Sequence, residues 1–428
     1  MKWDCKRGMM KKILGLGFVL LALSANGQMA QNITFTEFVK ESHDAQRAII
    51  RVQGDANFGS NGIDNIFANK FAFGGHIESD RIKDIYDNMN SNGRAKVDLS
   101  YQVQYWGNDS FNKRKWNLFG GVGSRIYGQS TFNKDVFGML FRGNKPYAGT
   151  TLDFSDTKGM LIQYMKYSIG VHREYRKDIG ELPELSSYLG ASLSYIQGID
   201  YINFETKQAS LFTESSGQYV DLDLQYNLER ASSAKRLGNT KGHGVAIDAF
   251  YGKINKSYFW EASVSDLGVV SYGNLISYEK DTTGVRFEGQ KIVAGGGSLS
   301  DVLDSIVDIV ESKQLEKSET VMLPAIFHFR VGKKISESLT ADAMLYYTLT
   351  RNNFPFLKAR ITKENGNSTY GASLGMGGFE KSPIIGFHGS TKIIEKIYLQ
   401  AQIAGIESYL VPSFFQGFQA SVGIGVLL

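Results

Sequence analysis

"YFWEASVSDLGVV", Tyr258 to Val270, alternates like a half-buried β-strand and then breaks its own rule. Tyr258, Trp260, Ala262 and Val264 fall on one face, and Glu261, Ser263 and Ser265 on the other. The next place on the apolar face belongs to Asp266, followed by Leu267-Gly268. A transmembrane strand in that register would put a carboxylate into lipid, at about 2 kcal/mol or more if deep. We therefore expect a bulge or a strand end at Asp266, Leu267 and Gly268, turning the carboxylate inward or to an interface. Between those two, a strand end is the plainer expectation; a break in the wall is the other.

The same two-residue period recurs along the chain. Val97, Leu99, Tyr101, Val103 and Tyr105 oppose Lys96, Asp98, Ser100, Gln102 and Gln104. Val220 to Leu228 alternate with Asp221, Asp223, Gln225 and Asn227, and Leu339 to Leu349 alternate with Thr340, Asp342 and Met344. The last such run, from Phe418, ends on Leu428. A soluble sandwich would alternate too, because one sheet face is buried and the other is wet. Export, segments of about ten residues and a strand reaching the terminus favour a membrane barrel, the sheet that satisfies its backbone in lipid without an open edge. The expected fold is all-β: a transmembrane antiparallel β-barrel of about 14 to 18 strands, an even number, with a helical loop insert and a short N-terminal helix or plug.

Export is read from the first residues. A basic stretch precedes the apolar run Ile13–Leu23, and Ala25 and Gly27 suit a cleavage between Gly27 and Gln28. Lys2, Lys6, Arg7, Lys11 and Lys12 against Asp4, five minus one, account for the whole net charge of +4. The remaining chain is near neutral, so nucleic acid is not an expected partner. Cys5, the single cysteine, lies in the same leader. The expected division is a signal peptide over 1–27, a periplasmic or plug segment over 28–67 with a helix near Thr34–Arg51, and the barrel over 68–428. Leu299, Val302, Leu303, Ile306, Val307 and Val310 form a helical stripe, placing the insert at 298–316 in a loop outside the membrane. Trp106 and Trp116 flank a polar loop as two expected interface anchors.

Chemistry is sparse. The six histidines stand apart, with no metal-ligand spacing. No catalytic, cofactor or metal residue is assigned. Asp98, Asp221, Asp223, Glu261 and Asp342 are expected to face the lumen, as ordinary wetting rather than a selectivity ring.

"EASVSDLGVVSYGN", together with "YLGASLSYIQGIDYINFET" (188–206), "GNKPYAGTTLDF" (143–154) and Leu323-Pro324, resembles an uncharacterised family of Bacteroidota outer-membrane barrels, domain of unknown function 5723. The resemblance covers nearly the whole chain after the leader. It implies an outer-membrane barrel in a superfamily that includes long-chain fatty-acid channels and barrels of the type IX secretion system. It supplies no catalytic or ligand residues. The leading expectation is a non-enzymatic barrel passing or binding a small hydrophobic molecule through a partly plugged lumen, with outer-membrane lipid around it. A structural or accessory component of secretion, gliding or the cell surface, meeting protein partners through its loops, is the rival; an outer-membrane enzyme comes third.

Overall fold

The computed structural model describes residues 48–428 except 90, 108–115, 180–181, 232–239, 256, 281–284, 289–312, 352, 379–382 and 412–416. The signal peptide, its cleavage at Gly27 and Gln28, the helix expected near 34–51 up to residue 47, and the insert over 298–312 lie outside the described residues.

The strands are β1 (Ile49–Ser60), β2 (Asn92–Trp106), β3 (Asn117–Asn133), β4 (Thr151–Asp153), β5 (Lys158–Ile179), β6 (Leu182–Thr213), β7 (Tyr219–Ala231), β8 (Gly242–Asn255) and β9 (Tyr258–Lys280). The second half holds β10 (Val285–Glu288), β11 (Lys313–Met322), β12 (Ile326–Lys334), β13 (Leu339–Thr348), β14 (Phe356–Asn365), β15 (Ser368–Gly377), β16 (Ile384–Ile394), β17 (Ile397–Ala404) and β18 (Phe418–Leu427). They form one 18-stranded sheet. Every pairing is antiparallel, and β1 pairs with both β18 and β2, which closes the wall. The closed circuit runs β1–β2–β3–β5–β6–β8–β9–β12 and on through β13 to β18.

The wall is apolar outside and polar inside, the reverse of a soluble barrel. Along β1, Ile50 and Val52 are exposed while Arg51, Gln53, Asp55 and Asn57 are buried. Ile169, Leu193, Val245, Phe329, Leu357, Leu374 and Phe387 continue the exposed apolar belt around the circuit. Such a belt is stable facing hydrocarbon, and the closed ladder leaves no backbone edge unpaired there. The protein is a transmembrane antiparallel β-barrel.

Neighbouring strands lock by aromatic rings set over glycines. The Phe250 ring occupies the place where a Cβ on Gly190 would stand, and the Tyr188 ring does the same for Gly252. Gly190 pairs with Phe250 and Tyr188 with Gly252 across β6 and β8, so the two contacts are reciprocal.

Ile49 and Leu427 lie at one end, which also carries the short connections 335–338, 366–367 and 395–396. Although the connection 107–116 between β2 and β3 also lies at this first end, the opposite end carries most of the long ones. There β5, β6 and β9, of 22, 32 and 23 residues, far exceed the 9–11 residues that cross a bilayer. β6 pairs with β8 along Leu185–Gly198 and then with β7 along Ile202–Thr213. β4, β7, β10 and β11 thus extend the sheet beyond the circuit.

Helices α1 (Asn65–Phe73), α2 (Ser79–Asn88) and α3 (Lys134–Arg142) cap the same end. Asp64 and Asn133 accept the first-turn N–H groups of Phe67 and Val136, as N-caps should. Phe67, Ile85, Met89 and Phe137 form their shared core. The Lys70 ammonium, hydrogen-bonded to Glu78, holds that carboxyl below its usual range.

Three expectations need correction. The barrel begins at Ile49 rather than 68, because β1 is wall between β18 and β2; 28–67 is therefore not one periplasmic or plug segment, and α1 and α2 sit at the opposite end from Ile49 and Leu427. Residues 49–51, the end of the expected N-terminal helix, and 313–316, the end of the expected insert, are strand. Trp106 is no interface anchor: it is buried and stacked on Phe119, ring centroids 4.4 Å apart, among inward aromatic side chains.

Candidate functional site

The Asp266 motif and Leu323-Pro324 face each other across one seam of the wall. β12 pairs with β9 up to Ile326 opposite Ser265, and β11 resumes with Met322 opposite Val269. β11 and β12 are therefore one partner of β9, interrupted at Leu323–Ala325 beside Asp266–Gly268. Proline has no N–H to give the ladder, so a break there is expected. The seam retains the bond from Leu323 N–H to the Gly268 carbonyl, 3.0 Å, and Ala325 N–H turns back to the Leu323 carbonyl.

On its other side β9 pairs with β8 as Ile247 to Leu267 and Ala249 to Val264, leaving Ser265 and Asp266 opposite Asp248 alone. That is a β-bulge, with Asp266 at φ 57. The left-handed conformation suits an aspartate better than most residues. One extra residue shifts the phase: Glu261 and Asp266 are buried inward, and Leu267 and Val269 are exposed outward. The strand continues to Lys280.

Inside the wall, Asp266 is held on both oxygens. Arg125 Nη1 and the Tyr164 hydroxyl donate to Oδ2 at 2.9 and 2.8 Å, and Lys166 Nζ donates to Oδ1 at 2.7 Å. Arg125 also grips Asp98 through two bonds, 2.9 and 2.8 Å, and donates to the Pro324 carbonyl at 2.8 Å. Lys166 reaches Asp248 at 2.6 Å, and Asp248 accepts from Ser192 and from the Asp266 backbone. One network thus ties β2, β3, β5, β6, β8, β9 and the β11–β12 break. Two cations against three carboxylates, each hydrogen-bonded, is the condition under which burial of charge is tolerable.

Around this network the interior turns apolar on one side. Ile162, Ile196, Ala246, Val270, Tyr272, Leu275 and Leu323 form one buried cluster with the Tyr127 and Tyr164 rings. Tyr127 extends its hydroxyl to Thr350, 2.9 Å away, in the connection after β13.

The other expected lumenal carboxylates scatter. Asp98 belongs to the Arg125 network. Asp342 bridges Arg330 and Arg360 at 3.0 and 3.1 Å, and Glu261 accepts from Tyr188 at 2.9 Å. Asp221 and Asp223 do not line the circuit. Both are on β7 beyond it, Asp221 paired to Arg286 at 2.7 Å and Asp223 exposed, because a projecting strand alternates just as a membrane strand does. The alternation did not single out Arg125, Lys166, Tyr164 or Asp248; the charge of Arg125, Lys166 and Asp248 was the available signal, and Tyr164 offered none.

Ser263, His328 and Glu261 come near one another, yet Ser263 Oγ at 3.5 Å and Glu261 Oε1 at 3.8 Å both face Nδ1 of His328. A relay needs the two partners on different ring nitrogens.

Residues 46–376 match the profile of the Family of unknown function (DUF5723). No curated protein matches the chain. Among solved structures, the CymD monoaromatic hydrocarbon channel is similar at 10% identity and TM-score 0.42, covering 95% of this chain and 98% of that one. The Pseudomonas putida toluene transporter TodX is similar at 8% identity and TM-score 0.37, over 89% and 88%. The translocator domain of the autotransporter NalP from Neisseria meningitidis is similar at 9% identity and TM-score 0.33, over 93% and 96%.

Proposed function

The chain belongs to the DUF5723 family of unknown function, and we propose that it is a non-enzymatic outer-membrane barrel that binds or passes a small hydrophobic molecule beside a closed lumen. The end with the short turns and both strand termini would face the periplasm, and the helices and projecting sheet the outside. One observation carries the ligand reading: the buried apolar cluster of Val270, Tyr272, Leu275 and Leu323 lies directly behind the seam where β9 is bulged and β11–β12 is interrupted. Leu267 and Met322, next to the same seam, are exposed on the outer face. Apolar surface on both sides of a weakened ladder suits a molecule moving between the interior and lipid.

The test is binding of the hydrophobic fluorophore N-phenyl-1-naphthylamine to the purified barrel in detergent. The reading expects saturable binding, weakened at least tenfold by Val270→Asp in protein that still shows heat-modifiable migration. Binding absent from the wild type, or unchanged in the variant, would remove it.

A second reading, a scaffold or accessory protein, is favoured by the sheet of β4, β7, β10 and β11 standing beyond the circuit. It expects protein partners that leave when β7 and β10 are deleted and the barrel still inserts.

A further inference from the structure

We infer that Leu323-Pro324-Ala325 is a strap drawn into the lumen, and that Arg125 is the latch holding it in its closed position. This rests on the ligand reading above, since it assigns the control of that same seam. Arg125 stands on β3, and the strap joins β11 to β12. Along the circuit the path between them runs β5, β6, β8 and β9, roughly 24 Å of wall at about 4.8 Å per step. Yet one guanidinium nitrogen donates to Pro324 O at 2.8 Å and to Asp266 at 2.9 Å. The interior is therefore pinched to a side chain's length at this level.

Leu323 and Ala325 are both buried, on the inner side of a wall whose outer side carries Met322. The strap is short of ladder bonds: Leu323 N–H keeps Gly268, and Ala325 gives its carbonyl to Leu349 N–H, 2.7 Å away in the connection after β13. That connection is tied back to β3 by the Tyr127–Thr350 bond. Both inward segments thus hang from two side chains of one strand. With those side chains released, the strap can withdraw from the lumen toward the line of β11 and β12, Pro324 still leaving its ladder position unfilled, which opens the lumen and frees the apolar cluster behind the seam. The closed state is held by the charged groups of Arg125, Asp98 and Asp266.

The decisive variant is Asp98→Asn with Arg125→Gln, which removes the latch without changing net charge and leaves Asp266 with Lys166. Tyr127→Phe, which drops the Thr350 tie and the bond to Gln129 on the same strand but keeps the Arg125 latch, is the milder companion should the first fail to fold. Each full-length variant is refolded, checked for heat-modifiable migration, and studied in planar bilayers and by amide hydrogen exchange.

The expected result is stepwise conductance above that of the wild type, with Leu323 and Ala325 amides exchanging at least tenfold faster. The effect should be graded, larger for the double variant than for Tyr127→Phe. Folded variants with wild-type exchange and conductance overturn the strap. Faster exchange without conductance, or conductance without faster exchange, overturns it equally, because the strap and the path would then be separate. Fluorophore binding by the wild type reports on the ligand reading separately; its absence would remove that reading whatever the strap does.

Discussion

Arg125 on β3 and Asp266 on β9 meet at 2.9 Å inside the barrel although β5, β6 and β8 separate them along the wall. The pair explains why a strand that must keep apolar residues toward lipid can contain an aspartate at its centre. The bulge turns the carboxylate inward, and three donors wait for it there.

Removing that carboxylate should be severe. Asp266→Ala leaves Arg125 and Lys166 short of a partner in a buried site, a change that costs about 3–5 kcal/mol. Asp266→Asn should cost less, because the amide keeps one acceptor oxygen. Urea unfolding from phosphocholine vesicles, followed by tryptophan fluorescence, would measure both. Equal and small losses would mean that the network does not hold the seam.

Gly268 is required by close approach. A Cβ there would stand 2.6 Å from the Ala246 Cα and closer still to the Val245 carbonyl. Gly268→Ala must therefore push β8 away from β9, and we expect a loss of about 1–3 kcal/mol. Gly273→Ala, where a Cβ would meet nothing within 4 Å, is the control on the same strand. Equal behaviour of the two variants in the same unfolding experiment would contradict the packing at the bulge.

The belt and the projecting sheet should respond oppositely to charge. Leu193 on β6 is 60% exposed and faces outward within the circuit. Leu193→Arg should cost about 2–4 kcal/mol if it lies near the bilayer midplane. Asp223→Arg, on β7 beyond the circuit, should stay within about 0.5 kcal/mol. Comparable costs at both sites would place the membrane boundary elsewhere.

Much of this was legible in the chain. The alternation at Val97–Tyr105 and Leu339–Leu349 marked wall strands, and the slip of phase at Asp266 marked an irregularity there, because both are local. The plainer expectation of a strand end fails, since β9 runs on through the bulge to Lys280. β1 escaped notice because its outward face, Ile50, Val52, Gly54, Ala56 and Phe58, is diluted by glycine and alanine. The stripe Ile82, Ile85 and Tyr86 on α2, followed by Met89 just past its end, was readable as helix, but it is short. Arg125 could not be found as the partner of Asp266, since a contact across a lumen has no sequence spacing. Asp221 and Asp223 show the converse limit: period two gives the face of a strand, not whether lipid or water surrounds it.

The helical cap should be separable from the wall. Phe67→Ala removes a ring packed on Phe137 and Phe141, at centroid distances of 5.6 and 4.8 Å. Large-to-small changes of this kind cost about 3–5 kcal/mol where the site is fully buried. Here we expect faster hydrogen exchange in α1, α2 and α3, with exchange in β1 and β18 unchanged. Loss of protection in those strands as well would show that cap and barrel fold as one unit.

The measurement closest to the central claim is a double-mutant cycle on Arg125→Gln and Asp266→Asn, read as unfolding free energy in lipid vesicles. Residues in direct contact within a buried network couple by about 0.5–3 kcal/mol, whereas residues more than about 7–10 Å apart add independently. We predict a coupling of at least about 1 kcal/mol, as a direct tie between β3 and β9 requires. Additivity within about 0.3 kcal/mol would mean that the two side chains do not meet across the lumen, and the closed barrel described here would be wrong at its centre.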